Sequence, residues 1–225
     1  MDAYSIIIPV HNEVHYIPLL LVSLKTYIDK GHEVIIINDG STDGSLDILK
    51  SDKSIKLLNI KKNRGKGYAI KKGLSCALNR KVIIYDGDME LNPSEISKLM
   101  ILHDEKRKRC VLGYRFKELK PLKSNFDWGN FMFTSFFNIT FNSNHRDILC
   151  CAKAFYKTDI ERYKLNSNGF DIDTELICLL TMINKNKIVD VPLNYKRRNI
   201  EEGKKLKVSD GWIILLRIVK MTKFF

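Results

Sequence analysis

Short apolar runs alternate with stretches of helical spacing through the first half of the chain. Residues 5–9 (SIIIP) and 33–38 (EVIIIN) place apolar side chains at consecutive positions, the pattern of a strand buried on both faces. The same reading makes strands of 55–60, 81–85 (KVIIY) and 110–113. Between them, 13–28, 43–50, 67–78 and 93–103 predict helices; Ser41 to Asp43 supply cap residues for the second, and Pro93 suits the opening of the last. Strands alternating with helices predict an α/β domain built on a parallel sheet with right-handed crossovers. The second half is less regular. Residues 125–142 are rich in aromatics, 170–183 predict an amphipathic helix, and 187–195 predict a strand that Pro192 confines to an edge or a bend. Residues 211–225 form a basic amphipathic stretch.

Ligands of such sheets bind beyond the carboxyl ends of the strands. That rule selects His11-Asn12-Glu13, Asn38-Asp39-Gly40 and Asp86-Gly87-Asp88. Asp86 and Asp88, one residue apart at a strand end, can reach one hard cation, and Glu90 adds a third carboxylate by alternation. Mg²⁺ or Mn²⁺ takes oxygen ligands of this kind and bridges to substrate phosphates. Asp39 and Glu13 sit at strand tips, where a carboxylate can accept hydrogen bonds from a ribose or a base. Asn63-Arg64-Gly65-Lys66-Gly67 opens a helix, so its glycines and free N–H groups suit an anion, with Arg64 and Lys66 on the phosphate side. Lys71 and Lys72 read as a solvated helix face.

Composition narrows the class. The 225 residues are 44% hydrophobic, with 12 Gly and 5 Pro, which excludes a collagen-like, low-complexity or broadly disordered chain and suits one domain. A net charge of +12 points to an anionic partner: nucleic acid, a lipid surface or a phosphorylated ligand. No aromatics interleave the basic run and no nucleic-acid motif is present, so nucleic acid is not expected. Five cysteines, with no CxxC pair, read as thiols of a reducing compartment. No run reaches the ~18 apolar residues of a membrane span, and the opening residues are no secretory signal. A cytoplasmic protein that can touch a membrane is expected.

The stretches SIIIPVHNE (5–13), NDGSTD (38–43), NRGKG (63–67) and DGD (86–88) resemble, in order and spacing, the family 2 glycosyltransferases. The resemblance implies the nucleotide-diphospho-sugar transferase fold called GT-A, with a mostly parallel central sheet flanked by helices. The stretches GYRF (113–116), DILCCAKAF (147–155), VPLNY (191–195) and RNIEEGKK (198–205) resemble the polyprenyl-phosphate branch, which includes the dolichol-phosphate mannose synthases. That implies inverting transfer of a sugar from a GDP- or UDP-sugar to a lipid phosphate. Three departures are visible: His11, Glu90 where mannose synthases carry Gln, and the apolar Leu149, Cys151 and Ala152.

The resemblance also implies roles. Asp86 and Asp88 bind the metal and, with Gly87, the donor diphosphate; Pro9, Glu13 and Asp39 frame the nucleoside. Arg115, Arg198 and Lys204 match basic positions that hold the acceptor phosphate. Asp147 and Glu175 match acidic positions that face the reaction centre or orient its basic groups. With Asp88, Asp147, Arg115 and Arg198 form the expected catalytic set. A lipid phosphate is largely ionised near neutral pH and needs little help from a base. A glycan or other hydroxyl acceptor, the alternative, needs one, and Asp147 is then the first candidate. The division expected is a catalytic domain at 1–210 and an amphipathic, membrane-interfacial helix at 211–225. Its apolar residues at helical spacing, with Arg217, Lys220 and Lys223 on another face, suit an anionic leaflet, so peripheral attachment at the cytoplasmic face is expected; relatives with longer chains carry membrane spans after the catalytic domain.

Overall fold

The computed structural model describes residues 2–116, 125–198 and 210–224. The elements in chain order are β1 (Tyr4–Val10), α1 (Ile17–Asp29), β2 (Glu33–Asp39), α2 (Ser45–Ser51), β3 (Lys56–Ile60), α3 (Lys66–Cys76), β4 (Lys81–Ile84), α4 (Ile96–Leu99), β5 (Cys110–Tyr114), α5 (Asn125–Phe141), β6 (Lys153–Tyr156), α6 (Lys157–Ile160), α7 (Ile172–Ile183), β7 (Ile188–Pro192) and α8 (Asp210–Met221). Among the described residues, seven strands form one sheet in the order β3-β2-β1-β4-β6-β5-β7. β3, β2, β1 and β4 are mutually parallel, and β5 pairs in parallel with β7. β6 runs antiparallel to both its neighbours, β4 and β5.

The apolar runs are buried on both sides because side chains alternate across a strand. Ile6, Ile8, Ile36 and Ile83 face a core closed by Leu20, Leu24 and Tyr27 of α1. Ile7, Ile35, Ile37, Val82 and Ile84 face a second core with Ala69 and Ile70 of α3, Phe137 of α5, Leu176 of α7 and Ile218 of α8. The chain steps outward from β1 to β2 to β3, then returns to β4 on the other side of β1. The β1/β4 border is therefore the switch point at which such sheets bind ligands.

Three expectations change in detail. α1 begins at Ile17 rather than at residue 13. The Glu13 and Val14 N–H groups go instead to Ser45 Oγ (3.0 Å) and Asp43 Oδ2 (3.0 Å), which hold this stretch as a turn. The helix expected over 93–103 is a 3₁₀ turn followed by the four residues of α4, after which the Leu102 N–H donates to Tyr4 Oη. β6 was hidden by Lys153, a charged residue that is 1% exposed in a fully buried strand. Pro192 does end an edge strand, β7. All five cysteines are free thiols.

Candidate active site

A cavity of about 620 Å³ opens above the switch point. Its wall includes Pro9 and Glu13 after β1, Asp39 after β2, Gly65 and Lys66 at the start of α3, and Asp86, Gly87 and Asp88 after β4. Asp39 is 3% exposed, and its two oxygens accept from the Arg64 N–H (2.9 Å) and the Gly65 N–H (2.8 Å). One carboxylate thus fixes the loop entering α3. Gly65 has φ +94°, and a Cβ there would lie 2.3 Å from the Asn168 carbonyl oxygen, so only glycine fits the turn. Gly87 serves packing: a Cβ would meet Val10 Cγ2 at 2.8 Å, so its absence lets the Asp86–Asp88 loop lie on the tip of β1. The Arg64 side chain is exposed and lies over the Tyr68 ring, away from the cavity wall. Lys72 is exposed as expected, whereas Lys71 bonds Asn168 Oδ1 at 2.8 Å.

The carboxylates of β4's end are gripped from two sides. Lys66 Nζ donates to Asp86 Oδ2 and to Asp173 Oδ2, each at 2.8 Å. Burial opposes the charge on Lys66, but Asp173 and Asp86 outweigh it and hold the ammonium protonated. Asp173, in the first turn of α7, also accepts from the buried Lys153 at 3.1 Å. Burial would raise its pKa, yet Lys153 and Lys66 bring it down to about 2. On the other side, Arg198 Nη1 donates to Glu13 Oε2 (2.8 Å) and Nη2 to Asp88 Oδ2 (3.2 Å), and the Arg198 N–H donates to Glu90 Oε1 (3.1 Å). Burial and the nearby Asp86 still push the Asp88 carboxyl up to about 7. A small dication held by one or two carboxylates and substrate phosphate oxygens fits this pair, because it would relieve that repulsion.

The three-carboxylate ligand set expected from the sequence is not assembled. Among the described residues, no three His, Cys, Asp or Glu side chains converge closely enough to hold an ion. Glu90 is drawn to Arg198 instead, its Oε1 also lying 3.9 Å from Nε. Arg198 in turn sits in the acid cluster at 8% exposure.

The opposite wall carries Arg115. Its Nε and Nη2 donate to the two oxygens of Asp147 (2.8 and 3.0 Å), and its N–H donates to Oδ2 as well. The guanidinium is flanked by the rings of Phe116 and Tyr195, each 5.3 Å away. Burial would raise the Asp147 pKa, but Arg115 keeps it below the usual carboxylate range. Asp147 therefore stands behind Arg115 and orients it; it is not part of the cavity wall. Glu175 faces away from the cavity, accepting from the Asn166 and Ser167 N–H groups (2.9 and 2.8 Å). Lys204 lies outside the described residues. The sequence reading missed Asp173, Lys153 and Tyr195. Two acids opening a predicted helix, Asp171 and Asp173, were the available signal for the first.

A family model described as "Glycosyl transferase family 2" matches residues 5–164. Glycosyltransferase AglJ of Haloferax volcanii is 28% identical over 229 residues, covering 99% of this chain and 73% of that protein. A dolichyl-phosphate beta-glucosyltransferase of Dictyostelium discoideum is 32% identical over 98 residues, which covers 37% of this chain and 30% of that one. Among solved structures, glucosyl-3-phosphoglycerate synthase of Mycobacterium tuberculosis, in complex with Mn²⁺, UDP and glucosyl-3-phosphoglycerate, superposes with a TM-score of 0.76. Identity there is 13%, with coverage of 99% of this chain and 80% of that one. That likeness shows the fold.

Proposed function

The chain belongs to glycosyl transferase family 2 and is a glycosyltransferase of GT-A fold; from that premise we propose that it moves a sugar from a nucleoside-diphosphate donor to a polyprenyl phosphate. The observation that carries this reading is the state of the cavity's acids. Asp39 is taken by backbone N–H groups, Asp86 and Asp173 by Lys66, and Glu13, Asp88 and Glu90 by Arg198. Among the described residues every acid in the wall is committed, and Asp147 is locked to Arg115. A hydroxyl acceptor needs a base to remove its proton; an ionised phosphate does not. What it needs is a cation of fixed orientation, and Arg115 offers a planar fork between two rings.

In this reading Asp39 braces the loop on which the donor rests, and Lys66 presents its charge to the diphosphate side. Arg115 holds the acceptor phosphate in line with the anomeric carbon. An acceptor oxygen forms the new bond to that carbon as the bond to the nucleoside diphosphate breaks, inverting the centre. Asp86 and Asp88 would hold the divalent cation, which when bound supplies charge neutralisation for the leaving diphosphate. The name of the Dictyostelium relative supports the acceptor class.

We place the acceptor's bilayer against α5 and α8. Ile214, Ile218 and Met221 of α8 are buried, whereas Trp212, Ile213, Leu216 and Val219 are exposed, so the helix is apolar on two faces. Trp128, Phe131, Phe136 and Ile139 of α5 are exposed as well, and α5 packs on α8. No described helix is long and apolar enough to cross a membrane. Such a surface, with Lys220 and Lys223 on it, suits the interface of an anionic leaflet. The free thiols fit the cytoplasmic side.

The test is a panel of radiolabelled UDP- and GDP-sugars with undecaprenyl phosphate, with Mn²⁺, Mg²⁺ or EDTA. Label entering the organic phase only with metal is the expected result. Label on a glycan or a small hydroxyl acceptor alone rejects the lipid acceptor.

A further inference from the structure

Arg198, which the resemblance assigns to the acceptor phosphate, stands among the cavity's acids. It lies 185 positions from Glu13 and 110 from Asp88 in sequence, yet its guanidinium reaches both, at 2.8 and 3.2 Å, with Glu90 at 3.9 Å. A cation therefore already stands against Asp88. The second cation of the site, Lys66, is differently placed. It is pinned by Asp173, which is pinned in turn by Lys153, and this chain of contacts does not depend on the Asp86–Asp88 pair. Glu13, Asp88 and Glu90, the acids beside Arg198 among the described residues, all lie in the cavity wall. Two positive groups at contact distance from the one Asp88 carboxylate repel each other. Seating a dication on Asp88 therefore requires the guanidinium to leave it.

We propose that Arg198 is a resident counter-ion that holds Asp88 until the metal-bound nucleotide arrives, and is thereby released to receive the acceptor phosphate. The proposal deepens the function argued above and rests on it. Glu13 is then the pivot: its 2.8 Å contact with Nη1 keeps the guanidinium at the cavity while Nη2 gives up Asp88. The exchange makes one residue sense donor loading and acceptor arrival together, so the lipid phosphate is captured after the nucleotide is in place. Because coupling between two binding events is reciprocal, a ligand that draws Arg198 away must tighten metal binding by the factor that metal tightens the ligand.

The measurement is Mn²⁺ binding without nucleotide, followed by loss of the free Mn²⁺ resonance signal, in wild type, Arg198→Gln and Arg198→Lys. Loss of the competing guanidinium is expected to tighten Mn²⁺ roughly tenfold in Arg198→Gln, a coupling of ordinary size. Arg198→Lys, which keeps the charge but not the fork, should fall between and guards against misfolding of the first variant. In wild type, farnesyl phosphate should bind more tightly once Mn²⁺ and UDP are present, and Arg198→Gln should lose that gain. Equal or weaker Mn²⁺ binding in both variants overturns the proposal. If Mn²⁺ tightens as expected but sugar never reaches a lipid phosphate, the counter-ion role survives and the acceptor assignment fails.

Discussion

At the residue scale, the acids were legible and their partners were not. Asp39, Asp86 and Asp88 could be picked from sequence because each lies at or just past the end of an apolar strand, where ligands of a parallel sheet bind. That Asp147 serves Arg115, 32 positions away, and that Lys66 meets Asp173, 107 positions away, depends on tertiary contacts that no local pattern encodes. Asp173 carries the clearest consequence. Asp173→Asn leaves Lys66 and Lys153 buried beside a neutral amide, which is expected to cost about 3–5 kcal/mol at pH 7. The folded carboxyl titrates at about 2 against an ordinary 3.8, so its stabilisation is complete above about pH 4 and fades as pH falls towards 2. Urea unfolding of wild type and variant should show a wide gap at pH 7 that narrows at pH 3. A gap that is constant with pH would mean that the ion network is not its source.

At the element scale, the four parallel strands β1 to β4 were plain as apolar runs, and α3, α7 and α8 as periodic stretches. What escaped was set by single side chains. Lys153 concealed β6, and Ser45 and Asp43 hold the Glu13 and Val14 N–H groups in a turn ahead of α1. Gly65 is the position where element geometry and site meet, since its turn aims Lys66 at Asp86 while its N–H holds Asp39. Gly65→Ala meets both a left-handed φ and a backbone oxygen at 2.3 Å. The expected cost is about 2–4 kcal/mol, with nucleoside-diphosphate affinity falling alongside stability. Unchanged unfolding and nucleotide (UDP or GDP) titration curves would show that the loop relaxes freely and does not position the donor.

At the scale of the whole molecule, the fold class, the switch point and the basic charge were readable from the chain, while the division of α8 between core and surface was not. Its periodicity announces an apolar stripe; only packing shows a second one left outside. Trp212→Ser with Leu216→Ser touches that outer stripe alone. Partition onto phosphatidylglycerol vesicles is expected to drop at least about tenfold, at roughly 1.5–3 kcal/mol per large side chain, with turnover of a short, water-soluble prenyl phosphate unchanged. Retained partition would move the membrane contact elsewhere. The central claim is that Asp86 and Asp88 bring a divalent cation to the donor's diphosphate. ³¹P resonance of whichever nucleoside diphosphate, UDP or GDP, the protein is found to bind, titrated with Mn²⁺, reads that proximity directly. Strong broadening of both phosphorus signals in wild type, lost in Asp88→Asn while the nucleotide remains bound, is the predicted result; equal broadening in the two proteins would contradict the account.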